Sequence, residues 1–135
     1  MKINSKYEIL NSKQIQMTEM TNPKQYDLED RCFKFAQRVN HYVNRLPKIV
    51  TNIENGKQLV RSSGSMGANY IEANEALSKK DFVMRIKISR KESKETRFWI
   101  MLTEPLKEDL QEKDLLIIEC TELMKIFGSI LEKSK

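Results

Sequence analysis

From about residue 27 onward, apolar side chains return every three or four positions, the spacing that gathers them on one face of an α-helix. The first stripe is Leu28, Cys32, Phe35, Ala36, Val39, Tyr42, Val43 and Leu46. Asp27, Glu29 and Asp30 open it and suit the positive end of a helix dipole, and Leu46-Pro47 closes it. A second helix is expected from Lys48 to Leu77. A third runs from Lys79 to Thr103, with Ser78 as N-cap and Asp81 in its first turn. Pro105 follows, and a fourth helix from Asp114 to Glu132 turns Leu116, Cys120, Leu123, Phe127 and Ile130 inward. Four amphipathic segments with short connections predict an all-α, antiparallel up-down-up-down four-helix bundle over 27–135. Residues 1–26 lack a sustained period and read as a polar, loosely ordered N-terminal arm.

The second helix has an unusual core. Ser62, Ser63, Gly64, Ser65, Gly67 and Ala68 follow one another almost without a break. Each glycine costs roughly 1 kcal/mol relative to Ala in a helix, so the strip makes sense where a neighbouring backbone must come close. Ile53, Gly56, Val60, Ser63, Gly67, Tyr70, Ile71 and Asn74 share the face expected to pack.

The third helix is patterned on two sides. Phe82, Ile86 and Ile100, with Ser89, Ser93 and Thr96 between them, make one face; Met84, Ile88, Trp99 and Leu102 make another. A helix in a lone bundle needs a single apolar stripe, so the second is either a contact between subunits or part of a wide core face wrapped by neighbouring helices. A basic band of Lys87, Arg90, Lys91, Lys94 and Arg97 lies between the two. Residues 79–103 hold eight Lys/Arg against three Asp/Glu, a local +5 that equals the net charge of the whole chain. Such a row can align with backbone phosphates and bind RNA or DNA with little sequence readout.

Composition narrows the rest. At 135 residues there is one domain with a real core, and three prolines and four glycines leave long helices intact. Cys32 and Cys120 fall on apolar faces without CxxC spacing, as reduced core thiols of a cytoplasmic protein would. No apolar run is long enough to span a membrane. One histidine, His41, on a polar face, gives no nucleophile–base relay, and phosphate-binding glycine loops are missing. The reading is therefore of a non-enzymatic protein with no cofactor. An alternative is a Mg²⁺-dependent nucleotide phosphohydrolase, in which Glu72-Ala-Asn-Glu75 and Glu92-Ser-Lys-Glu95 bring four carboxylates together. Lys57, Arg61, Lys91 and Lys94 lie close enough to neutralise those carboxylates instead, and Arg61 and Glu72 are expected to form internal polar pairs that fix helix register.

The run from Gln58 through Phe82, and again from Lys87 through Trp99, resembles the four-helix-bundle proteins encoded in intervening sequences of bacterial large-subunit ribosomal RNA genes. The similarity covers about 27–130. Its polar signature is met by Ser65, Asn69 and Glu72 and by Arg90 and Glu95; Lys91-Glu92 stands where many members have Gly-Ser. The resemblance implies a homopentameric barrel, which would occupy the second face of the third helix. A related branch, the accessory proteins of diversity-generating retroelements, binds a reverse transcriptase and nucleic acid through a basic surface. For this chain it implies a homo-oligomer whose partners are RNA or DNA, or alternatively a partner enzyme for which it is a scaffold.

Overall fold

The computed structural model describes residues 23–135, with side chains from Asp27, and holds four α-helices and no strand among them. They are α1 (Pro23–Arg45), α2 (Val50–Asn74), α3 (Lys79–Leu102) and α4 (Leu110–Lys133), with a 3-10 turn at Lys107–Asp109 leading into α4. The expected arm lies outside the described residues as far as position 22, and α1 begins four residues ahead of the expected start. The chain divides into two units at Arg31/Cys32. All contacts below lie within Cys32–Lys135.

Local chemistry fixes the helix ends. Ser78 Oγ accepts from Asp81 N at 3.1 Å, so one of the orphan amides of α3 is capped as expected. At the other end Lys113 Nζ donates to Thr103 O at 2.9 Å and to Met101 O at 3.3 Å, satisfying carbonyls that have no partner inside the helix. Thr103 Oγ1 donates to Ile100 O and meets Tyr42 Oη at 2.7 Å, tying α1 to the end of α3. Burial raises the Tyr42 phenol above its usual range.

The faces expected on α1 and α4 are buried: Cys32, Phe35, Val39, Tyr42 and Leu46 on one, Leu116, Cys120, Leu123 and Phe127 on the other. On α3 the buried residues are Ile86, Ser89, Glu92, Ser93, Thr96 and Ile100.

The face expected on α2 needs correcting. Gly56, Ser63 and Tyr70 are buried as expected, but Ile53, Val60 and Ile71 are 42%, 40% and 45% exposed, and the helix also buries Asn52, Leu59, Ser62, Met66 and Ala73. Hydrophobicity misled because the true contact face is made largely of serine, glycine and alanine, with the β-branched residues along its outer edge. Close approach explains two of the glycines. A Cβ on Gly67 would stand 3.2 Å from Cys32 Cβ, and one on Gly56 would stand 3.1 Å from Val43 Cγ1, so both mark where α1 presses on α2. The serines serve α3: Thr96 Oγ1 and Ser62 Oγ are 2.8 Å apart, and Ser89 Oγ donates to Met66 O at 2.9 Å. Gly64 serves neither, since nothing lies within 4 Å of where its Cβ would be.

One buried polar side chain joins two corners. Asn52, 2% exposed, donates from Nδ2 to Pro47 O and Glu104 O, both at 3.0 Å, and its Oδ1 accepts from Glu104 N at 2.9 Å. Among the described residues no helix is long and apolar enough to cross a membrane.

Candidate functional site

Helix α3 carries the chemistry because both its neighbours cover only part of its surface. Along the α2 side, Ser89 and Thr96 make the contacts already given, and Arg85 Nη1 donates to Asn69 Oδ1 at 2.9 Å. Along the α4 side, Cys120 Sγ donates to Ser93 O at 3.1 Å, and a Cβ on Gly128 would be 3.8 Å from Arg90 Nε. The remaining surface holds the basic band.

Lys87, Arg90, Lys91 and Lys94 are exposed, and none forms a side-chain hydrogen bond or ion pair among the described residues. Arginines elsewhere behave differently. Arg38 makes a two-pronged contact with Glu112 at 3.2 and 3.1 Å, and Arg45 binds Asp109 at 2.8 Å, which raises its guanidinium above the usual range. The helix rise of about 1.5 Å per residue sets Lys87 and Lys94 about 10 Å apart along the axis, with Arg90 and Lys91 between them. Four cations in a row, with the neighbouring Glu92 and Glu95 carboxylates turned to Arg61, can attract an external anionic partner. Arg97 stands apart from this group. It is half-buried, and its Nε is enclosed without a hydrogen-bond partner.

The carboxylates are not assembled as a metal site would need. Arg61 Nη1 and Nη2 reach Glu92 Oε2 and Oε1 at 3.4 and 3.3 Å, and Nη2 also reaches Glu95 Oε1 at 3.0 Å. The guanidinium is held above its usual range by the hydrogen bonds and charge of Glu92 first and Glu95 next. Arg61 thus forms the internal polar pairing expected of it, with Glu92 and Glu95, whereas Glu72, also expected in such a pair, is exposed like Glu75 and takes no part. Lys57 pairs with Glu54 at 3.5 Å instead of a carboxylate of that quartet. Among the described residues no three His, Cys, Asp or Glu side chains come together to hold a metal ion. Glu92 is itself buried at 7% exposure. The sequence offered Glu92 both as a Mg²⁺ ligand and as a carboxylate that Arg61 could neutralise, and it is the Arg61 pairing that the structure contains.

The residues expected to meet another subunit divide. Met84 and Leu102 are 50% and 44% exposed, while Ile88 and Trp99 are half-buried. Phe98, 55% exposed and edge-on to Trp99 at 5.0 Å between ring centres, belongs to the same surface and was missed. Its aromatic character was the available signal. The Trp99 indole N–H is buried without an acceptor. His41 is exposed on the outer side of α1, as expected.

Neither cysteine offers a reactive thiol. Cys32 and Cys120 are buried and form no disulfide among the described residues, and burial pushes the Cys120 thiol up to about 12.

Comparison with known proteins agrees with this architecture. A crystal structure of a protein with unknown function from the S23 ribosomal protein family of Bacteroides thetaiotaomicron superposes with a TM-score of 0.67 at 29% identity. The match covers 81% of this chain and 98% of that one. No curated protein matches. Residues 24–129 match the family described as 23S rRNA-intervening sequence protein. With the four helices in place and the match running from the first turn of α1 to the last turns of α4, the chain belongs to the 23S rRNA-intervening sequence protein family.

Proposed function

We propose that this protein is a non-enzymatic, homo-oligomeric four-helix bundle of the cytoplasm that binds the backbone of RNA or DNA through the basic flank of α3. The observation that carries the reading is the row Lys87, Arg90, Lys91 and Lys94, exposed and unpaired while Arg38, Arg45 and Arg61 are all engaged by carboxylates. Arg97 adds charge at the edge of the row. Contacts of this kind track phosphates, so affinity depends on salt and little on sequence.

The helices run up-down-up-down in this proposal. Positions 62, 66 and 69 of α2 meet 96, 89 and 85 of α3 in descending order, and 56 and 67 of α2 meet 43 and 32 of α1 likewise, which supports antiparallel neighbours. A homopentameric barrel would place five copies of the basic flank on one assembly, turning a weak row into a polyvalent surface. The surface formed by Met84, Ile88, Trp99, Leu102 and Phe98 is the proposed subunit contact.

The second reading, a scaffold for a partner enzyme, is favoured by the exposed Phe98 and Met101, each 55% accessible and close to the basic flank. Partner capture before and after nuclease treatment separates the two. Capture that survives nuclease supports the scaffold, and direct binding of purified nucleic acid supports the first reading.

A further inference from the structure

Among the described residues, helix α2 leaves a second apolar surface without a partner. A groove of about 520 Å³ runs along the α1/α2 seam, with Gly56 as part of its floor and Val43, Ile53 and Val60 on its walls. The exposed Ile53, Val60 and Ile71 continue it toward the end of α2, and the open position at Gly64 leaves its middle without a side chain. A glycine here costs helix stability and relieves no contact among the described residues, which marks a surface shaped for something beyond them.

The exposed face of α3 has matching dimensions. Ile53 and Ile71 are separated by the same number of residues as Met84 and Leu102, so both apolar rows span about 27 Å of helix. Charge decides the direction. The α2 side carries Lys48 at its beginning, where Lys57 is paired with Glu54, and Glu72 and Glu75 at its end; α3 begins with Lys79 and Lys80 ahead of Asp81 and finishes near Glu104. Laid parallel, like charges would meet at both ends. Laid antiparallel, Lys80 comes against Glu75 and Glu104 against Lys48. Lys80 and Glu75 are exposed, and neither has a side-chain partner of its own among the described residues.

We infer that α3 of one copy seats antiparallel in the α1/α2 groove of a second copy, Met84 over Ile71 and Leu102 over Ile53, with the flexible stem of Lys91 crossing Gly64. The inference rests on the proposal that the chain self-associates, and adds to it the acceptor surface and the register. The contact joins two different surfaces, so each subunit uses both, as a closed ring requires. The outer basic flank at Arg90 and Lys94 stays in solvent.

Cysteine pairs test this on the full-length chain. Ile71→Cys/Met84→Cys and Ile53→Cys/Leu102→Cys are expected to form ladders of disulfide-linked oligomers under mild oxidation. All four positions are exposed, and the native thiols at 32 and 120 are buried and silent. Ile53→Cys/Met84→Cys, which requires the parallel register, is expected to stay uncrosslinked. A ladder from that pair, or dimers from any single variant, would overturn the register. Light scattering run alongside separates the failures: a monomeric wild type sinks self-association itself, whereas an oligomer that fails to crosslink sinks only this contact. A charge exchange gives an independent reading. Glu75→Lys and Lys80→Glu should each weaken assembly, and the double variant should recover it; failure to recover contradicts the pairing.

Discussion

Replacing Asn52 by aspartate changes one amide nitrogen to oxygen at almost constant volume, and the surroundings make that a severe change. Asn52 is 2% exposed, and its amide donates to Pro47 O and Glu104 O while its oxygen accepts from Glu104 N. Asn52→Ala removes three hydrogen bonds at about 1 kcal/mol each, so about 3 kcal/mol is expected. Asn52→Asp keeps the bond from Glu104 N but turns a carboxylate oxygen toward two carbonyls. Losing two donors and burying an uncompensated charge should cost about 3–5 kcal/mol near neutral pH, a large share of a domain's stability. The introduced carboxyl responds by binding a proton, because burial and the facing carbonyls raise its folded pKa above the ordinary value of about 3.9. Protonation restores a donor. With the folded pKa above the unfolded one, the penalty is full above the folded pKa and shrinks as pH falls through it. Urea unfolding followed by circular dichroism, at one protein concentration and at about pH 7 and pH 5, gives the comparison. The aspartate deficit relative to wild type should narrow at the lower pH while the alanine deficit stays constant. An aspartate variant as stable as wild type at pH 7, or two deficits that move together, would refute the clamp.

The other expectations concern contacts elsewhere in the bundle. Arg61→Ala strands the buried Glu92 carboxylate and should cost about 1–3 kcal/mol, with Arg61→Ala/Glu92→Ala recovering part of it; additive losses in that double-mutant cycle would exclude direct pairing. Gly64→Ala should raise stability by about 1 kcal/mol through helix propensity. Gly67→Ala has the same gain but must displace α1 at Cys32, and overpacking of about 1–3 kcal/mol should leave it less stable than Gly64→Ala; equal midpoints would mean that α1 does not approach there. The Cys120 thiol, raised to about 12 in the folded chain, ionises first when unfolded. Its contribution to stability is therefore full below the model-thiol value of 9.0 and declines as pH rises from there toward 12. Thiol reagents at pH 8 should label Cys120 only after denaturation, and rapid labelling of the native protein would contradict its burial.

Much of the fold was legible because the core stripes of α1, α3 and α4 follow a 3.6-residue period in strongly apolar residues or in small residues between them. Ser78 and Asp81 announced the start of α3 by side-chain chemistry alone. On α2 the same reasoning caught Gly56, Ser63 and Tyr70 but missed the rest, because Leu59 and Met66 are the only large aliphatic side chains on a buried face otherwise made of Tyr70 and of Ser, Gly, Asn and Ala. Ile53, Val60 and Ile71 outweighed them by hydrophobicity although they sit at the edge. The basic residues were identifiable one by one, but which arginines were already neutralised was not. Arg61 meets Glu92 and Glu95 across 31 and 34 residues of sequence, and only packing of α2 on α3 brings them together. Asn52 carried no signal, since its three partners are backbone groups.

The measurement that bears most directly on the proposed function is binding of a fluorescent structured RNA and a matched DNA duplex, titrated across salt. The wild type and Arg90→Glu/Lys94→Glu would be compared after light scattering has established the size of each. The account expects the wild type to bind at low salt, with the logarithm of affinity falling against log salt with a slope of about −3 or steeper. The variant should keep its assembly and lose that binding. A wild-type oligomer that binds neither nucleic acid at low salt, or a variant that binds as tightly with the same slope, would contradict the assignment of α3 as a phosphate-tracking surface.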